Sequence, residues 1–279
     1  MKIENESLLV EISPLGAEIQ SIKNIKTNQE LCWQGDPTYW SSRSPLLFPI
    51  IGSLKEDKYY LNDESFEMKK HGIVRDQEFE LEQVNDSTIN CYWDIEESLK
   101  EFYPYQCSLK ITYQLEENSL IVSYVVINHE DFDMFYSIGG HPGFNVSGPV
   151  TLKLEGQDMS RYLISGSLID KSVDVNKTNF ILTKEHLRDD ALVYTGVDRC
   201  HLIMKDYSVV ADVSEFINVG IWSPIVNNEM APFVCIEPWQ GLPDTLTSNQ
   251  ILKDKKDNQI LKAQEEAKFS YRLTFNYED

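Results

Sequence analysis

Hydrophobic and polar positions alternate with a period of two over much of the chain. The clearest run covers residues 269–277, where Phe, Tyr and Leu alternate with Ser, Arg, Thr and Asn, and residues 109–115 repeat the pattern. Because successive side chains of a β-strand point to opposite faces, these runs predict half-buried strands. A β-rich run at residues 120–127 follows after a short polar interruption, so we expect it to pair with 109–115 as a hairpin. Similar alternation predicts strands at residues 8–12 and 209–213.

Helical spacing is scarce by comparison. Residues 96–102 could form two turns, between Asp94 as a cap and Pro104 as a stop, and residues 183–188 could form one. No segment shows a three-to-four-residue spacing over the roughly 10–15 residues that the helix of a βαβ unit needs. The pattern therefore argues against doubly wound α/β folds and TIM barrels. It predicts an all-β fold, a large sandwich or barrel.

The length of 279 residues gives a soft expectation of roughly two domains, at about 150 residues each. Single β-sandwiches and barrels routinely reach about 250 residues, however. Residues 165–178 are polar and poor in β-formers, which predicts a long excursion, and residues 254–258 predict a charged hairpin tip. Neither segment resembles a linker, so we predict one domain spanning residues 1–279.

Composition and charge exclude several classes of protein. The hydrophobic fraction of 42% is ample for a core, which excludes disorder as the default state. The chain carries 25 Lys and Arg against 45 Asp and Glu, a net charge of −20. Such an excess of acid argues against nucleic acid and against anionic membrane surfaces as partners. We therefore expect a small-molecule partner.

Targeting signals and cysteine usage point to the cytoplasm. The longest apolar run, residues 45–52, is far shorter than a membrane span, and the acidic N-terminus lacks the apolar stretch of a signal peptide. The cysteines number five, and their spacing fits neither a zinc site nor a redox pair. We expect buried, reduced thiols in a cytoplasmic protein.

The first candidate chemical segment is residues 135–144, where an apolar run ends in Gly139-Gly140-His141-Pro142-Gly143. Glycines permit unusual backbone angles and close approach of a ligand, and a following proline favours an extended conformation at His141. The segment predicts an imidazole held at the tip of a strand on a stiff turn. A histidine that merely caps a turn is the structural alternative.

The second candidate segment places Glu237 after a run of four apolar residues and before Pro238 and Trp239. A carboxylate in such surroundings is either paired or has a raised pKa, and both states suit a general base. The alternative is a glutamate that faces outward at the end of a strand. Trp239 could pack in the core or serve as a platform for a sugar ring.

The third candidate is His71-Gly72 with cations on both sides, Lys69 and Lys70 before it and Arg75 after it. This group could bind an oxygen-rich or phosphorylated ligand, or it could be a solvated charged turn. Arg43 is an isolated cation before an apolar stretch, where a structural salt bridge is the alternative. No two histidines have metal-ligand spacing, and there is no nucleophile elbow or phosphate-binding glycine loop.

Taken in order, five short segments resemble the aldose 1-epimerase (galactose mutarotase-like) family, most closely its LacX-like bacterial branch. They are Arg43 with Leu47-Phe48-Pro49, His71-Gly72 with Arg75, Gly139-Gly140-His141-Pro142, Gly220-Ile221-Trp222, and Glu237-Pro238 with Pro243-Asp244. Each motif is weak alone, but five in this order are specific, and they span residues 43–244. The resemblance implies a β-supersandwich, a large antiparallel two-sheet domain with short helical turns. It also implies interconversion of the α and β anomers of an aldose such as galactose or glucose.

The same resemblance implies roles for individual residues. Glu237 would be the general base and His141 the general acid, and we expect nearby carboxylates to favour protonated His141. The residues implied to bind the sugar are Arg43, His71, Arg75, Asp190 and Trp222. Asp189 competes with Asp190, because the local motif is loose. We expect no cofactor and no metal, and either a monomer or a homodimer.

Two other classes of protein stay open on the sequence. A non-catalytic sugar-binding or sensing protein would keep the groove but would need no acid–base pair. A glycoside hydrolase would need two carboxylates about 5–9.5 Å apart, and Asp190 is the uncertain second candidate. The sequence also leaves open whether the aldose carries a 6-phosphate.

Overall fold

Antiparallel strands make up most of the computed structural model, which describes residues 1–277; the last two residues of the predicted domain lie outside it. The strands are β1 Lys2–Glu4, β2 Leu8–Ile12, β3 Ile19–Asn24, β4 Leu46–Leu47, β5 Lys58–Leu61, β6 Glu64–Glu67, β7 Glu80–Asn85, β8 Thr88–Asp94, β9 Cys107–Glu116, β10 Ser119–Asn128, β11 Met134–Tyr136, β12 Ile138–Gly140, β13 Gly143–Asn145, β14 Val150–Ser165, β15 Leu168–Asp174, β16 Asn179–Leu182, β17 Leu192–Ile203, β18 Tyr207–Asp212, β19 Asn218–Trp222, β20 Ile225–Val226, β21 Glu229–Met230, β22 Phe233–Gln240, β23 Gln259–Leu261 and β24 Glu266–Tyr277.

These strands form one large sheet and several small ones. The large sheet has 15 strands, with the main order β4-β12-β22-β19-β17-β18-β24-β10-β9-β8-β7. In addition, β13 pairs with β22, and β14 pairs with β15, β16 and β17. A three-stranded sheet, β1-β2-β3, and three two-stranded ribbons complete the fold. The pairings are antiparallel, so the predicted all-β, antiparallel supersandwich is confirmed.

The predicted hairpin is confirmed as β9 and β10, which pair along their full length with Tyr113 opposite Val122. Alternate side chains of β9 are buried, as the period of two requires. One apolar core contains buried residues of both the three-stranded sheet and the large sheet, from Ile3 to Phe275. The Tyr113 hydroxyl donates to the Ala17 carbonyl at 2.7 Å, so this phenol satisfies its polar atom inside the core.

Helical structure within residues 1–277 is limited to short 3₁₀ turns at Lys55–Asp57, Val74–Asp76, Glu97–Leu99 and Leu252–Asp254. Residues 96–102, which were predicted to form two helical turns, contain only the 3₁₀ turn Glu97–Leu99. At residues 183–188 the structure has a hydrogen-bonded turn, in which the His186 amide donates to the Thr183 carbonyl at 3.1 Å. No helix in residues 1–277 is long and apolar enough to cross a membrane.

Two local predictions were wrong. Residues 165–178 are not an excursion: β14 runs to Ser165, and β15 returns from Leu168 as the second strand of a hairpin. Most β15 side chains are exposed on both faces, so the segment carries no apolar period to signal a strand. Residues 254–258 are a turn that leads into β23 rather than a hairpin tip. Within it Lys255 is only 7% exposed.

The prediction about the thiols is confirmed. The five cysteines are Cys32, Cys91, Cys107, Cys200 and Cys235, and each is buried and free. Burial raises the pKa of the Cys200 thiol, which keeps it protonated and unreactive.

Candidate active site

The site is built around β22, whose eight residues are all buried. Glu237 lies in the middle of this strand, so the alternative of an outward-facing glutamate at a strand end is wrong. Val234 and Ile236 belong to the main core, whereas Cys235 and Trp239 belong to two small apolar clusters elsewhere. Because side chains alternate along a strand, Glu237 points to the same face as Cys235 and Trp239. It is therefore a carboxyl group in an apolar setting, only 2% exposed.

His141 reaches this carboxyl group because two short strands pair with β22 on either side of it. In β12 Gly139 is opposite Trp239, and in β13 Gly143 is opposite Cys235. The two residues between these strands, His141 and Pro142, thus face the centre of β22. The Nε2 atom of His141 lies 3.1 Å from Oε2 of Glu237. The structure brings together the predicted acid and base.

Gly139 and Gly220 leave space for the Trp239 ring, which forms the floor of the site. Gly220 of β19 is opposite Glu237, and a Cβ atom there would lie 2.9 Å from Cζ2 of Trp239. A Cβ atom at Gly139 would lie 2.9 Å from Cδ1 of the same ring. The indole therefore extends across β22 between two positions where a side chain would collide with it. Only glycine on both neighbouring strands leaves that space.

His71 is held by two hydrogen bonds to one residue. Its amide donates to the Gly52 carbonyl at 2.9 Å, and the Gly52 amide donates to Nδ1 of its ring at 3.1 Å. Since Nδ1 accepts, a neutral ring carries its proton on Nε2, which leaves that atom as a donor. Burial lowers the pKa of His71 well below its usual range, with the nearby His141, Lys70 and Arg75 acting in the same direction. His71 is thus a neutral donor in a fixed orientation.

These groups line one cavity of about 230 Å³. The lining includes six predicted site residues or their neighbours: Lys70, His71, Arg75, His141, Asp190 and Glu237. Aromatic rings form much of the rest. The Trp40 ring lies 4.8 Å from the His141 ring, centroid to centroid, and the Trp222 ring lies 5.5 Å from it. Aromatic walls with a few convergent polar groups are typical of a small-ligand site.

Burial dominates the electrostatics of the His141–Glu237 pair. It lowers the pKa of His141, and the cations Lys70 and Arg75 lower it further. It raises the pKa of Glu237 well above the usual range, although Lys70 opposes the shift. The expectation that carboxylates favour protonated His141 was therefore wrong, because the loss of hydration on burial and the nearby cations disfavour the imidazolium. The site favours a neutral imidazole beside a protonated carboxyl.

Three buried polar atoms of the lining residues complete no hydrogen bond within residues 1–277: His141 Nδ1, Glu237 Oε2 and Trp239 Nε1. The contact between Glu237 Oε2 and His141 Nε2 is close, but its geometry does not complete a bond. Buried polar atoms are normally hydrogen-bonded, so these three atoms are available to bind a polar ligand in the cavity.

Two cations stand at the same cavity without partners. Within residues 1–277, neither Lys70 nor Arg75 takes part in an ion pair within 4.0 Å. Arg75 therefore does not pair with the adjacent Asp76. Their charge is therefore available to a ligand.

The structure also places the remaining candidates. Asp190, not Asp189, lines the cavity, with φ at 105°, a value rare for residues other than glycine. Arg43 does not line it. The Arg43 guanidinium donates to the Gln20 carbonyl at 2.8 Å, and its backbone amide bonds Glu18 at 2.8 Å. This placement does not support Arg43 as a sugar-binding residue, because it lies outside the cavity lining and one guanidinium donor is bound to the chain itself.

Sequence reasoning missed several lining residues. Ile164 and Ser167 come from the β14–β15 hairpin, and Trp40 comes from an irregular segment with no periodic signal. A glycine flanked by serines at residues 165–167 was the available sign of a hairpin turn there. Among residues 1–277, no group of three or more His, Cys, Asp or Glu side chains could hold a metal ion.

Comparison with known proteins gives relatives over almost the whole chain. The family described as aldose 1-epimerase matches residues 1–256. The LacX protein encoded on the chromosome of Lactococcus lactis subsp. lactis is 31% identical over 98% of this chain and 98% of its own length. A plasmid-encoded LacX of the same organism is 30% identical with the same coverage.

Solved structures agree with the fold. A galactose mutarotase-like protein from Lactobacillus casei superposes with a TM-score of 0.94 at 28% identity, covering 99% of each chain. A galactose 1-epimerase from Lactobacillus acidophilus superposes with a TM-score of 0.77 over 100% of this chain and 94% of that chain. At 12% identity the latter shows the fold alone. From the family match and the LacX relatives together, the chain belongs to the aldose 1-epimerase family.

Proposed function

We propose that the protein is a mutarotase: it interconverts the α and β anomers of an aldose, a hexose such as galactose or glucose, by acid–base ring opening and closure. The observation that carries the proposal is the contact of 3.1 Å between His141 Nε2 and Glu237 Oε2 in a buried, ligand-sized cavity. Acid–base chemistry on a hemiacetal needs one proton donor and one proton acceptor close together, and this pair supplies both.

The reaction consists of two proton transfers and one bond rotation. The anomeric hydroxyl loses a proton to the base while the ring oxygen gains one from the acid, and the bond between C1 and the ring oxygen breaks. Rotation about the C1–C2 bond then presents the other face of the aldehyde. The reverse transfers close the ring as the other anomer. Each positioned proton-transfer group typically contributes about 10²–10⁴ in rate.

The distribution of protons over His141 and Glu237 determines which of the two acts as the acid. Imidazolium with carboxylate and imidazole with carboxylic acid carry the same number of protons, so either state contains one acid and one base. Burial favours the second, in which the acid is Glu237 and the base is His141. The roles implied by the family resemblance, Glu237 as base and His141 as acid, apply to the first. Ring opening converts one state into the other and ring closure converts it back, so both states occur in every conversion of one anomer into the other.

The remaining lining residues would hold the sugar. The Nε2–H of His71 and the carboxylate of Asp190 are a donor and an acceptor for ring hydroxyls. Trp222 and Trp40 offer apolar faces for the C–H side of the ring. The partner is thus a small-molecule sugar, and the oligomeric state, monomer or homodimer, stays a prediction.

Polarimetry of freshly dissolved α-galactose and α-glucose tests the proposal directly. We expect the purified protein to accelerate the approach to the anomeric equilibrium, and Glu237→Gln to lose that acceleration. Saturable binding of both sugars with no acceleration would instead indicate a sugar-binding or sensing protein. Release of the aryl group from an aryl galactoside would indicate a hydrolase that uses Asp190 as the second carboxylate.

A phosphorylated aldose is the second candidate substrate. The observation that favours it is the presence of Lys70 and Arg75 at the cavity without ion-pair partners among residues 1–277. A sugar phosphate carries close to two negative charges, which such cations would bind. The net charge of −20 opposes any anion, so the two cations must outweigh the field of the whole protein.

A further inference from the structure

A buried lysine that takes no part in the proposed chemistry lies behind the wall of the cavity. Lys255 is 7% exposed and follows the 3₁₀ turn Leu252–Asp254. Its Nζ atom donates a hydrogen bond to the carbonyl oxygen of Leu242. Leu242 belongs to the segment 241–244, which follows β22 and contributes Pro243 to the cavity lining. A buried lysine is rare unless it is paired, so its position needs a reason.

The segment 241–244 is attached on both sides by hydrogen bonds. Asn218 Nδ2 donates to the Gly241 carbonyl at 3.1 Å and to Asp257 Oδ2 at 3.0 Å. The Asp244 amide donates to the Ser53 carbonyl at 2.9 Å. Oδ2 of the same aspartate accepts from the Lys55 amide at 3.0 Å. The segment therefore connects the neighbourhood of Lys255 to residues 52–55.

Residues 52–55 lead directly to His71. The Pro243 ring covers Gly52 so closely that no side chain could be added there. Gly52 in turn donates its amide to Nδ1 of His71 at 3.1 Å and accepts the His71 amide at 2.9 Å. An ordered series of contacts thus runs from Lys255 through Leu242 and Pro243 to the imidazole that faces the ligand.

We propose that Lys255 is a positioning residue: its ammonium group holds the segment 241–244 against Gly52 and so fixes the orientation and tautomer of His71. This inference rests on the proposed function only in so far as His71 binds the sugar. The charge of Lys255 matters as well as its donors, because Asp244 and Asp257 attract it. Without that cation, Asp244 would lose the charge that attracts it below the wall, whereas Asp257 would keep Lys256 at 3.8 Å.

The protonation of Lys255 gives the inference a pH dependence. Burial lowers the pKa of Lys255 from 10.5 to about 8, although the two aspartates raise it. The charged groups around it are Asp244 and Lys55 from the facing segments and Asp254, Lys256 and Asp257 from its own. Above pH 8 the ammonium loses its proton and its attraction to the carboxylates. Between about pH 8 and pH 10.5, Lys255 binds fewer protons in the folded protein than in the unfolded chain, so its contribution to stability rises with pH. Over the same range the segment 241–244 is held less firmly.

Kinetics of galactose anomerisation in Lys255→Met and Lys255→Arg test the inference. We expect Lys255→Met to raise KM about tenfold with less than a twofold change in kcat, because it disturbs binding rather than the acid–base pair. Lys255→Arg keeps the charge and should restore KM to within about twofold. Lys253→Met, at an exposed lysine of the preceding 3₁₀ turn, is the matched control and should leave both constants unchanged. Unchanged KM in folded Lys255→Met would overturn the inference.

The pH profile separates positioning from a loss of stability. In the wild type KM should rise above about pH 8 while the Tm does not fall. The rise should be absent in Lys255→Arg, whose guanidinium stays charged. If Lys255→Met does not fold, the comparison of wild type with Lys255→Arg still tests the inference. A rise of KM above pH 8 that persists in Lys255→Arg would come from another group and would overturn the inference.

A measurement that needs no activity separates this inference from the proposed function. The ¹⁵N and ¹H shifts of the His71 ring, assigned with His71→Gln, report its tautomer. We expect Lys255→Met to shift them, and His129 and His186 to serve as internal references outside the cavity. Unchanged His71 shifts would overturn the inference. Shifted signals in a protein that accelerates the anomerisation of neither galactose nor glucose would keep the inference and reject the function.

Discussion

His141 faces Glu237 because two separate short strands, β12 and β13, pair with the same strand on either side of that glutamate. The Gly139–Trp239 and Gly143–Cys235 pairs leave His141 and Pro142 outside the ladder, opposite the carboxyl group. The distance between His141 Nε2 and Glu237 Oε2, 3.1 Å, is therefore set by backbone pairing as well as by side-chain rotamers. Such backing by rigid strands suits a site that must hold two proton-transfer groups in one geometry.

Glu237→Gln should abolish anomerisation while the protein stays folded. The amide keeps the volume of the side chain but can neither give nor take the proton. We expect a loss of about 10²–10⁴ in kcat/KM, or roughly 2.7–5.5 kcal/mol of transition-state stabilisation. Polarimetry measures the loss, and Glu64→Gln, at an exposed glutamate of β6, is the matched control. Turnover like that of the wild type in folded Glu237→Gln would remove Glu237 from the mechanism.

The two cavity histidines should fail in different ways. His141→Asn keeps a hydrogen-bonding group but cannot transfer a proton, so we expect kcat to fall about 10²–10⁴ with sugar binding retained. His71→Gln removes a fixed donor that holds the substrate, so we expect mainly a higher KM. Titration calorimetry with galactose, beside the kinetics, separates the two effects. Equal changes of kcat and KM in both variants would contradict the separate roles.

The fold was predictable because its signal is distributed along the chain. The alternation in 109–115 and 120–127 repeats over many strands, and a wrong assignment at one place does not alter the fold class. Strand β15 was missed because most of its side chains are exposed, so it has no apolar face of its own. Without that alternation, the pattern of hydrophobic positions gives no strand signal there.

The site was predictable in part, for a related reason. His141 and Glu237 were recognisable because a polar residue among glycines or apolar residues is costly unless it has a purpose. Trp40 and Ser167 carry no such local signal, because they reach the cavity only through the tertiary fold. Arg43 is an isolated cation before an apolar stretch, which suggested a binding residue, but its guanidinium donates a hydrogen bond to the Gln20 carbonyl. The protonation of His141 was misjudged because burial, which opposes charge, is not visible in a sequence.

The stability of the protein should depend on pH through Glu237. Burial raises the pKa of Glu237 above its unfolded value of 4.5, so the protonated carboxyl favours the folded state. That contribution is complete below pH 4.5 and is lost as the pH rises toward the folded pKa. Gln at this position stays neutral at every pH. The Tm of Glu237→Gln minus that of the wild type should therefore increase as the pH rises above 4.5, and a constant difference would contradict the shift.

Gly220→Ala should disturb the floor of the cavity. Its methyl group would lie 2.9 Å from Cζ2 and 3.0 Å from Cη2 of Trp239, and 3.3 Å from Cβ of Glu237. We expect a loss of about 1–3 kcal/mol in the free energy of unfolding together with lower activity. The double variant Gly220→Ala with Trp239→Phe tests the cause, because phenylalanine lacks the second ring. Stability should partly return in the double variant, and strict additivity of the two losses would show that the methyl group does not act through Trp239.

The choice between a free and a phosphorylated aldose depends on Lys70 and Arg75, which line the cavity, whereas Arg43 does not. If the substrate is galactose 6-phosphate, kcat/KM should exceed that for galactose, and the preference should weaken with salt, because added ions screen the attraction. Arg75→Ala and Lys70→Ala should each remove most of the preference, whereas Lys69→Ala, at the adjacent lysine outside this cavity, should keep it. Equal or better use of free galactose, unchanged in Arg75→Ala, would exclude the phosphorylated substrate. In that case the two cations would serve to shift the acid–base pair: both lower the pKa of His141, and Lys70 lowers that of Glu237.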